Sequence, residues 1–298
     1  MMNIKEFRAQ FSTEDACLTY LVEQRWPEGV TCPRCDSKAK IYKLAKPFRW
    51  VCKSCAKNGY RFSPIVGTIF ENTNRPLTEW FQVIFYMCQS KKGMSALQIQ
   101  RMMGFGSYET AWYMCHRVRA AMQNTEFMKL TGTVEVDETY IGGRSRNRHG
   151  GGVGGGLAKH KGGRGTAGKV AVIGAISRKG AVVAQVIEGT DEKTLRGFVH
   201  RAVDTSCELV ASDEHAGYQK LVADGYRHES VNHTQGEYVR GKIHTGSIDS
   251  FWSLLKRGIM GSFHHVSKEY LPLYVNEFAF RNNYRRDPNM FGAVVRSA

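Results

Sequence analysis

The stretch TVEVDETYIG, residues 133–142, decides the fold of the C-terminal half of the chain. Apolar and acidic side chains alternate along it, which is the two-residue period of a β-strand. Val134 and Val136 therefore face one side of the strand, and Glu135 and Asp137 face the other. The pattern predicts a strand that presents Asp137 on one face of a sheet.

The segments that follow this strand predict a regular succession of elements. Two further strands, KVAVIGAIS and GAVVAQVIEG, are joined by the tight hairpin RKG, and the helix DEKTLRGFVHRAV follows them. A short buried strand (CELVASDE), a helix (GYQKLVADG), a strand (RHESVNH) and two late helices complete the series. This order predicts an α/β, RNase H-like fold over residues 130–286, a mixed sheet with flanking helices. Residues 287–298 are expected to be a tail.

The overall composition is that of a folded protein with a strong positive charge. Of 298 residues, 42% are hydrophobic, and 42 Lys and Arg against 27 Asp and Glu give a formal charge of +15. Such an excess indicates a polyanionic partner, most commonly the phosphate backbone of nucleic acid. No apolar run is long enough to span a membrane, and the charged N-terminus is unlike a secretory signal. We therefore expect a cytoplasmic, nucleoid-associated protein.

Four of the eight cysteines form two CxxC pairs, Cys32 with Cys35 and Cys52 with Cys55. Two such pairs can complete a tetrahedral Zn²⁺ site without an open position, which is a structural rather than a catalytic arrangement. Disulfides are the alternative, but a reducing compartment disfavours them. The spacing predicts a zinc ribbon over residues 27–66. The remaining cysteines are expected to be packed thiols: Cys17, Cys88, Cys115 and Cys207.

The rest of the N-terminal half reads as helical. Residues 1–26 are expected to be one helix, over 3–26, that ends before Pro27. Within residues 70–125, two helices capped by Ser95 and Ser107 flank the turn GFGS, which is typical of a helix-turn-helix DNA-binding module. The second helix would then bring three basic side chains to DNA: His116, Arg117 and Arg119. An ordinary αα-hairpin is the alternative.

A glycine-rich insertion separates the first two strands of the C-terminal half. Residues 142–168 hold twelve glycines, several Arg and Lys, and no acid. The segment lacks a phosphate-loop motif and cannot bury enough apolar surface to order itself. It is expected to be a flexible basic flap over DNA phosphates or, alternatively, a solvated insertion.

Three acids lie where the predicted fold would gather them. Asp137 is in the first strand, Asp213 ends the fourth strand, and Asp249 begins the helix HTGSIDSFWSLLKRGI, residues 244–259. The first and fourth strands of an RNase H-like sheet are neighbours, so the acids should converge. Clustered carboxylates repel one another unless a cation lies between them, and hard oxygen ligands favour Mg²⁺. Two Mg²⁺ ions, or Mn²⁺ in their place, could then assist an in-line displacement at phosphorus.

These motifs together resemble the DDE transposases of bacterial insertion sequences, in the branch with an N-terminal zinc ribbon. The resemblance rests on CPRC…CKSC, the helix pair, VEVDETYIGG, SDEHAGY, VNHTQGEYV and the stretch from HTGSIDSFWSLLKRGI to FRNNYR. It implies that Asp137, Asp213 and Asp249 are the catalytic carboxylates and that Lys256, with Arg257 beside it, contacts DNA. Asp249 stands where the family usually has Glu, and Gly246 where it often has Asn.

The resemblance implies a transposase that binds terminal inverted repeats in double-stranded DNA, then cleaves and joins strands as a homodimer or larger oligomer. A non-catalytic DNA-binding protein and an RNase H-fold nuclease that cuts without joining are the alternatives. Two neighbouring acids are assigned lesser roles: Glu138 should face away from the site, and Glu135 is a fallback ligand. Trp252 is expected to pack in the core, with base stacking as the alternative.

Overall fold

The structure is a computed structural model that describes residues 2–123, 129–142, 168–178, 180–230 and 245–298. The chain divides into two compact units. One contains residues 1–124 together with 284–298, and the other contains residues 125–283. The glycine-rich insertion lies outside the described residues, apart from its ends at 142 and 168. Residues 231–244 also lie outside them, including His233 and His244, two histidines close to the predicted site in the chain order.

The second unit is built on a five-stranded mixed sheet. Its strands are β4 (Thr133–Ile141), β5 (Val170–Ser177), β6 (Val182–Ile187), β7 (Leu209–Ser212) and β8 (His228–Ser230). They lie in the order β6-β5-β4-β7-β8, with β4 antiparallel to β5 and parallel to β7. The antiparallel pairing of β5 with β6 and the pairing of the first strand with the fourth are confirmed. This arrangement confirms the predicted RNase H-like sheet.

Each face of the sheet is covered by helices. On one face Val134 and Val136 pack with side chains of α6 (Glu192–Ala202). On the other face a second core includes residues of α7 (Gly246–Gly258) and α8 (Leu271–Asn283). The alternation in TVEVDETYIG thus separates an apolar face from the face that carries Glu135 and Asp137. The segment GYQKLVADG, predicted as an α-helix, forms only a 3₁₀-helix, Ala216–Leu221.

The zinc-ribbon segment of the first unit contains a small antiparallel sheet. Its strands are β1 (Ile41–Lys43), β2 (Trp50–Cys52) and β3 (Tyr60–Phe62), paired in that order. Trp26, Trp50 and Phe62 pack together beside Cys32 and Cys52. So small a core buries little apolar surface, and domains of about this size usually need a metal ion, disulfides or oligomerisation for stability.

The helical part of the first unit differs from the sequence prediction at both ends. The predicted helix 3–26 is two helices, α1 (Ile4–Gln10) and α2 (Glu14–Arg25), because the Thr13 side chain caps a second helix by accepting from the Ala16 N–H. The predicted tail contains a helix, α9 (Met290–Arg296), with Phe291 in contact with Phe7, Phe11 and Phe81.

The central helices of the first unit follow the sequence closely. They are α3 (Leu77–Gln89), α4 (Ala96–Met103) and α5 (Tyr108–Ala121). Ser95 and Ser107 cap the latter two as predicted, and Gly104 takes the left-handed conformation (φ 67°) that ends α4. All four cysteines expected to be packed thiols are buried. None of the helices in the described residues is long and apolar enough to cross a membrane.

Candidate metal-binding active site

Asp137 lies in the middle of β4, opposite Gly174 of β5. Pairing of β4 with β7 ends at Glu135, which is paired with Ala211. Beyond that point β4 has an open edge, and β7 ends at Ser212, so that Asp213 immediately follows it. The end of a parallel strand thus brings Asp213 toward the part of β4 that carries Asp137.

The acids that gather at this edge are Asp137, Asp213 and, against expectation, Glu138. Each offers a carboxylate oxygen, and these three oxygens lie within 4.8 Å of one another. Glu138 was expected to face away because adjacent strand residues point to opposite faces. That prediction is wrong. Because β4 is unpaired on this side beyond Glu135, we infer that the longer Glu138 side chain can turn around the open edge toward Asp213.

Burial and mutual repulsion disfavour the charged forms of two carboxyl groups in the cluster. Burial, together with the charges of Glu138, Asp213 and Asp249, raises the pKa of Asp137 to about 7. Burial raises the pKa of Glu138 to about 7 as well, although a hydrogen bond from the Tyr218 hydroxyl (2.6 Å) works in the opposite direction. A divalent cation would relieve this repulsion, and carboxylates are the ligands that Mg²⁺ prefers. The donor set therefore fits such an ion.

Asp249 lies on α7 and faces the same cleft as Asp137. It is outside the group of three oxygens within 4.8 Å, but its charge contributes to the raised pKa of Asp137. Its carboxylate accepts a hydrogen bond of 3.2 Å from the Thr245 hydroxyl. The cleft, with a volume of about 420 Å³, also has Lys256 and Arg257 in its wall. Asp249 and Lys256 thus share one side of α7, as their seven-residue spacing predicts.

Two residues beside the acids are fixed by contacts that the sequence did not reveal. Glu135 is fully buried; its carboxylate pairs with Arg178 (2.8 Å) and accepts the backbone N–H of Ser247 (2.7 Å). These bonds leave it poorly suited to the predicted role of fallback metal ligand. Trp252 is 3% exposed, and its indole N–H donates to Asp137 Oδ2 (2.9 Å). Core packing is confirmed for Trp252, and its burial contradicts base stacking.

The cysteine cluster has the geometry of a closed zinc site. Four sulfur atoms, from Cys32, Cys35, Cys52 and Cys55, lie within 4.8 Å of one another. Three of the separations are 3.8–3.9 Å. A tetrahedron with Zn–S bonds of about 2.3 Å has edges of about 3.8 Å, so the thiols suit a Zn²⁺ ion without rearrangement. The prediction of a structural zinc ribbon is supported.

The basic residues predicted on α5 do not all reach the surface. Arg119 is 1% exposed and His116 is 7% exposed, and the Arg119 guanidinium donates to the Met94 carbonyl. Both side chains are buried, so their predicted DNA contacts do not fit the structure. Arg117 is half-buried and donates to the backbone carbonyls of Thr68 and Glu71. The buried positions Ala111, Cys115 and Val118 mark the core face of α5, and Arg119, one turn after Cys115, lies on that face.

An RNase H-like sheet with acids clustered beside its central strands, in a chain that also carries a zinc ribbon, is the arrangement of the DDE transposase class. Comparison with known families agrees. Residues 129–283 match the ISXO2-like transposase domain, and residues 12–58 match a transposase zinc-ribbon domain. The chain belongs to the ISXO2-like transposase family.

A relative along the full length comes from Halobacterium salinarum. It is described as an uncharacterized protein in transposable element ISH50 and is 28% identical over 97% of this chain and 96% of its own length. Among solved structures, one chain of the simian T-cell lymphotropic virus intasome in complex with PP2A regulatory subunit B56 gamma aligns with this protein. The alignment covers 66% of each chain at 11% identity. The TM-score of this match is 0.27.

Proposed function

We propose that this protein binds the ends of an insertion sequence and catalyses metal-dependent cleavage and joining of DNA strands. The observation that carries the proposal is the cleft that acidic and basic side chains line together: Asp137, Glu138, Asp249, Lys256 and Arg257. Carboxylates would hold divalent cations there, and the two basic side chains would pair with DNA phosphates.

Each acidic residue has a definite part in the proposed reaction. Asp137, Asp213 and Asp249 would hold Mg²⁺, or Mn²⁺ in its place, and Glu138 would supply a fourth carboxylate. Ions bound there would polarise the phosphate and assist both the attacking and the leaving oxygen. Hydrolysis at the element end frees a 3′-hydroxyl, which then attacks a phosphodiester of the target DNA. Lys256 and Arg257 would orient the scissile strand.

Recognition of the element ends is assigned first to the zinc ribbon. Residues 27–66 contain nine Lys and Arg against two acids, and all nine basic side chains are exposed. Such a one-sided charge favours binding to the phosphate backbone. The helix pair α4–α5 is the second candidate; its exposed residues include Arg101, Tyr108 and Tyr113. Because joining requires two ends in one complex, we propose at least a dimer on DNA.

A strand-transfer assay with end-containing DNA and Mg²⁺ tests the proposal and separates it from its two alternatives. Joined product supports transposition, cleavage without joining indicates a nuclease, and binding alone indicates a regulator.

Asp137→Asn and Asp213→Asn should reduce cleavage below detection while end binding remains, because only the ligands of the ion change. Glu208→Gln, which alters an exposed acid five residues before Asp213, is the matched control. Normal cleavage by either Asn variant would show that the site is misassigned.

A further inference from the structure

Hydrogen bonds join helix α7 to the sheet at two places, one on each side of Asp249 in the sequence. The first involves Glu135, which is 0% exposed. Its carboxylate accepts the backbone N–H groups of Ser247 (2.7 Å) and Ile248 (3.1 Å) and the Ser247 hydroxyl (3.1 Å). The first N–H groups of a helix have no partner inside the helix. A residue of β4 therefore provides the N-terminal cap of α7 from outside the helix.

This cap replaces the one that the helix would ordinarily carry. The N-cap residue, Thr245, makes no side-chain bond to the helix N–H groups and instead donates to Asp249 Oδ2. Arg178 balances the charge of Glu135 at 2.8 Å. A buried ion pair is weak evidence for stability, since apolar residues of similar volume often serve as well. The bonds to α7 suggest a different purpose, which is to fix the start of the helix.

The second contact is the hydrogen bond from the Trp252 indole N–H to Asp137 Oδ2, 2.9 Å long. It depends on Gly174, the residue paired with Asp137 on β5. A Cβ atom at Gly174 would lie 2.6 Å from Cη2 of the indole, a distance that real contacts do not tolerate. Gly174 thus leaves room for the indole directly beside the first acid, where the indole N–H holds one carboxylate oxygen of Asp137.

We propose that Glu135 and Trp252 are positioning residues that hold α7 on β4 so that Asp137 and Asp249 keep the separation required by a shared divalent ion. The inference rests on the proposed function and deepens it. Glu135 and Asp137 point to the same face of β4, and Asp249 lies between Ile248 and Trp252 on α7. Bonds at both points oppose sliding and rotation of the helix. Hydrogen-bond partners of this kind orient metal ligands, and their loss typically lowers metal affinity or activity about 10- to 100-fold.

The test is Mn²⁺ binding to the full-length, zinc-loaded protein, measured by electron paramagnetic resonance. Trp252→Phe keeps an aromatic ring but removes the N–H, and we expect about 10- to 100-fold weaker Mn²⁺ binding. The Mg²⁺ concentration for half-maximal cleavage should rise in proportion, while the rate recovers at saturating Mg²⁺. Trp80→Phe is the matched control, because the Trp80 indole N–H is also bonded, to the Thr73 hydroxyl at 2.8 Å. It should leave Mn²⁺ affinity unchanged.

Two further variants act on the same contacts by different means. Gly174→Ala should displace the indole and weaken Mn²⁺ binding although Trp252 is retained. In Trp252→Phe the added methyl group should do much less harm, because Phe lacks Cη2 and Cζ2, the two nearest atoms. Only the terminal Cδ1 of Ile248, 3.1 Å away, would then have to shift. Glu135→Gln should weaken Mn²⁺ binding and accelerate hydrogen exchange of the Ser247 and Ile248 amides.

The outcomes separate this inference from the proposed function. If the wild-type protein binds Mn²⁺ and cleaves DNA while folded Trp252→Phe binds Mn²⁺ with wild-type affinity, the inference is overturned and the proposed function stands. If the zinc-loaded wild-type protein binds no Mn²⁺, both the inference and the proposed function are overturned. Should the variants fail to fold, nitrogen-15 labelling of the wild-type indoles decides. Mn²⁺ should then broaden the Trp252 N–H signal; survival of that signal would overturn the inference.

Discussion

The cysteine cluster and the acidic cluster are both candidate metal sites, but they differ in how the chain builds them. The four cysteines come from two short turns within residues 32–55, and their sulfurs enclose a tetrahedral position. The acids come from β4, from the residue after β7 and from α7, and they open into a cleft. A closed, local site stabilises a small fold, whereas an open site assembled by a larger fold leaves room for substrate.

The two sites should therefore respond oppositely to the loss of a ligand. The ribbon has a small core and needs its ion to fold. The acidic cluster lies on a five-stranded sheet with a core on each face, which holds the carboxylates together despite their mutual repulsion. Removing a thiol should destabilise the ribbon, whereas removing a carboxylate should reduce the electrostatic repulsion within the acidic cluster.

The largest effect is expected from Cys52→Ser or from removal of zinc by a chelator. Structural zinc sites contribute about 10–16 kcal/mol of apparent binding free energy, which is far more than a ribbon of this size can replace. The ribbon should unfold, and limited proteolysis should cut within residues 27–66. Cys207→Ser, which changes a buried thiol of the other unit, should leave the ribbon resistant. A resistant ribbon in Cys52→Ser would mean that the cluster holds no structural ion.

Asp213→Asn should have the opposite effect on the metal-free protein. The change removes a negative charge that acts on both Asp137 and Glu138. A gain of about 1 kcal/mol would raise the melting temperature by about 2–4 °C in a unit of this size. Differential scanning calorimetry without divalent ions measures the change, with Glu208→Gln as the control. A clear loss of stability would show that the acids do not repel one another in the folded protein.

The sequence predicted the closed site completely and the open site only in part. CxxC spacing requires no knowledge of the fold, so all four thiols could be identified. Asp137 and Asp213 followed from strand order. Glu138 was missed because alternation along a strand says nothing about an edge at which pairing stops. Glu135 and Trp252 were missed as structural partners because their bonds join β4 to α7, which are more than a hundred residues apart in the sequence.

The stability of the metal-free protein should depend on pH in a defined window. Asp137 and Glu138 have folded-state pKa values of about 7, against about 4 for ordinary carboxyl groups. A raised carboxyl pKa contributes stability that is present below pH 4 and is lost as pH rises through 7. The melting temperature should fall between pH 5 and pH 8, and Mg²⁺ should restore more of it at pH 8 than at pH 6.

The double variant Asp137→Asn/Glu138→Gln serves as the control for this titration. It removes both raised carboxyl groups, so its melting temperature should change less over the same range and should not respond to Mg²⁺. If the double variant followed the wild-type curve, other groups would be responsible for the pH dependence.

Asp249→Glu is expected to have the smallest effect, a rise in cleavage rate of a few-fold at most. The family resemblance places Glu at this position, and its extra methylene would bring the carboxylate closer to the other three acids. Initial cleavage rates at several Mg²⁺ concentrations measure the effect. Asp249→Asn is the companion variant and should lose activity; equal rates for all three proteins would remove residue 249 from the site.

The central claim is that separated acids of one sheet and one helix bind divalent ions beside DNA. Anomalous diffraction from crystals soaked in Mn²⁺ tests it most directly, with the ribbon zinc as an internal reference. We predict a Mn²⁺ peak bounded by the carboxylates of Asp137, Glu138 and Asp213, on the side that faces Asp249. A full zinc peak at the four cysteines with no Mn²⁺ peak among these acids would contradict the account.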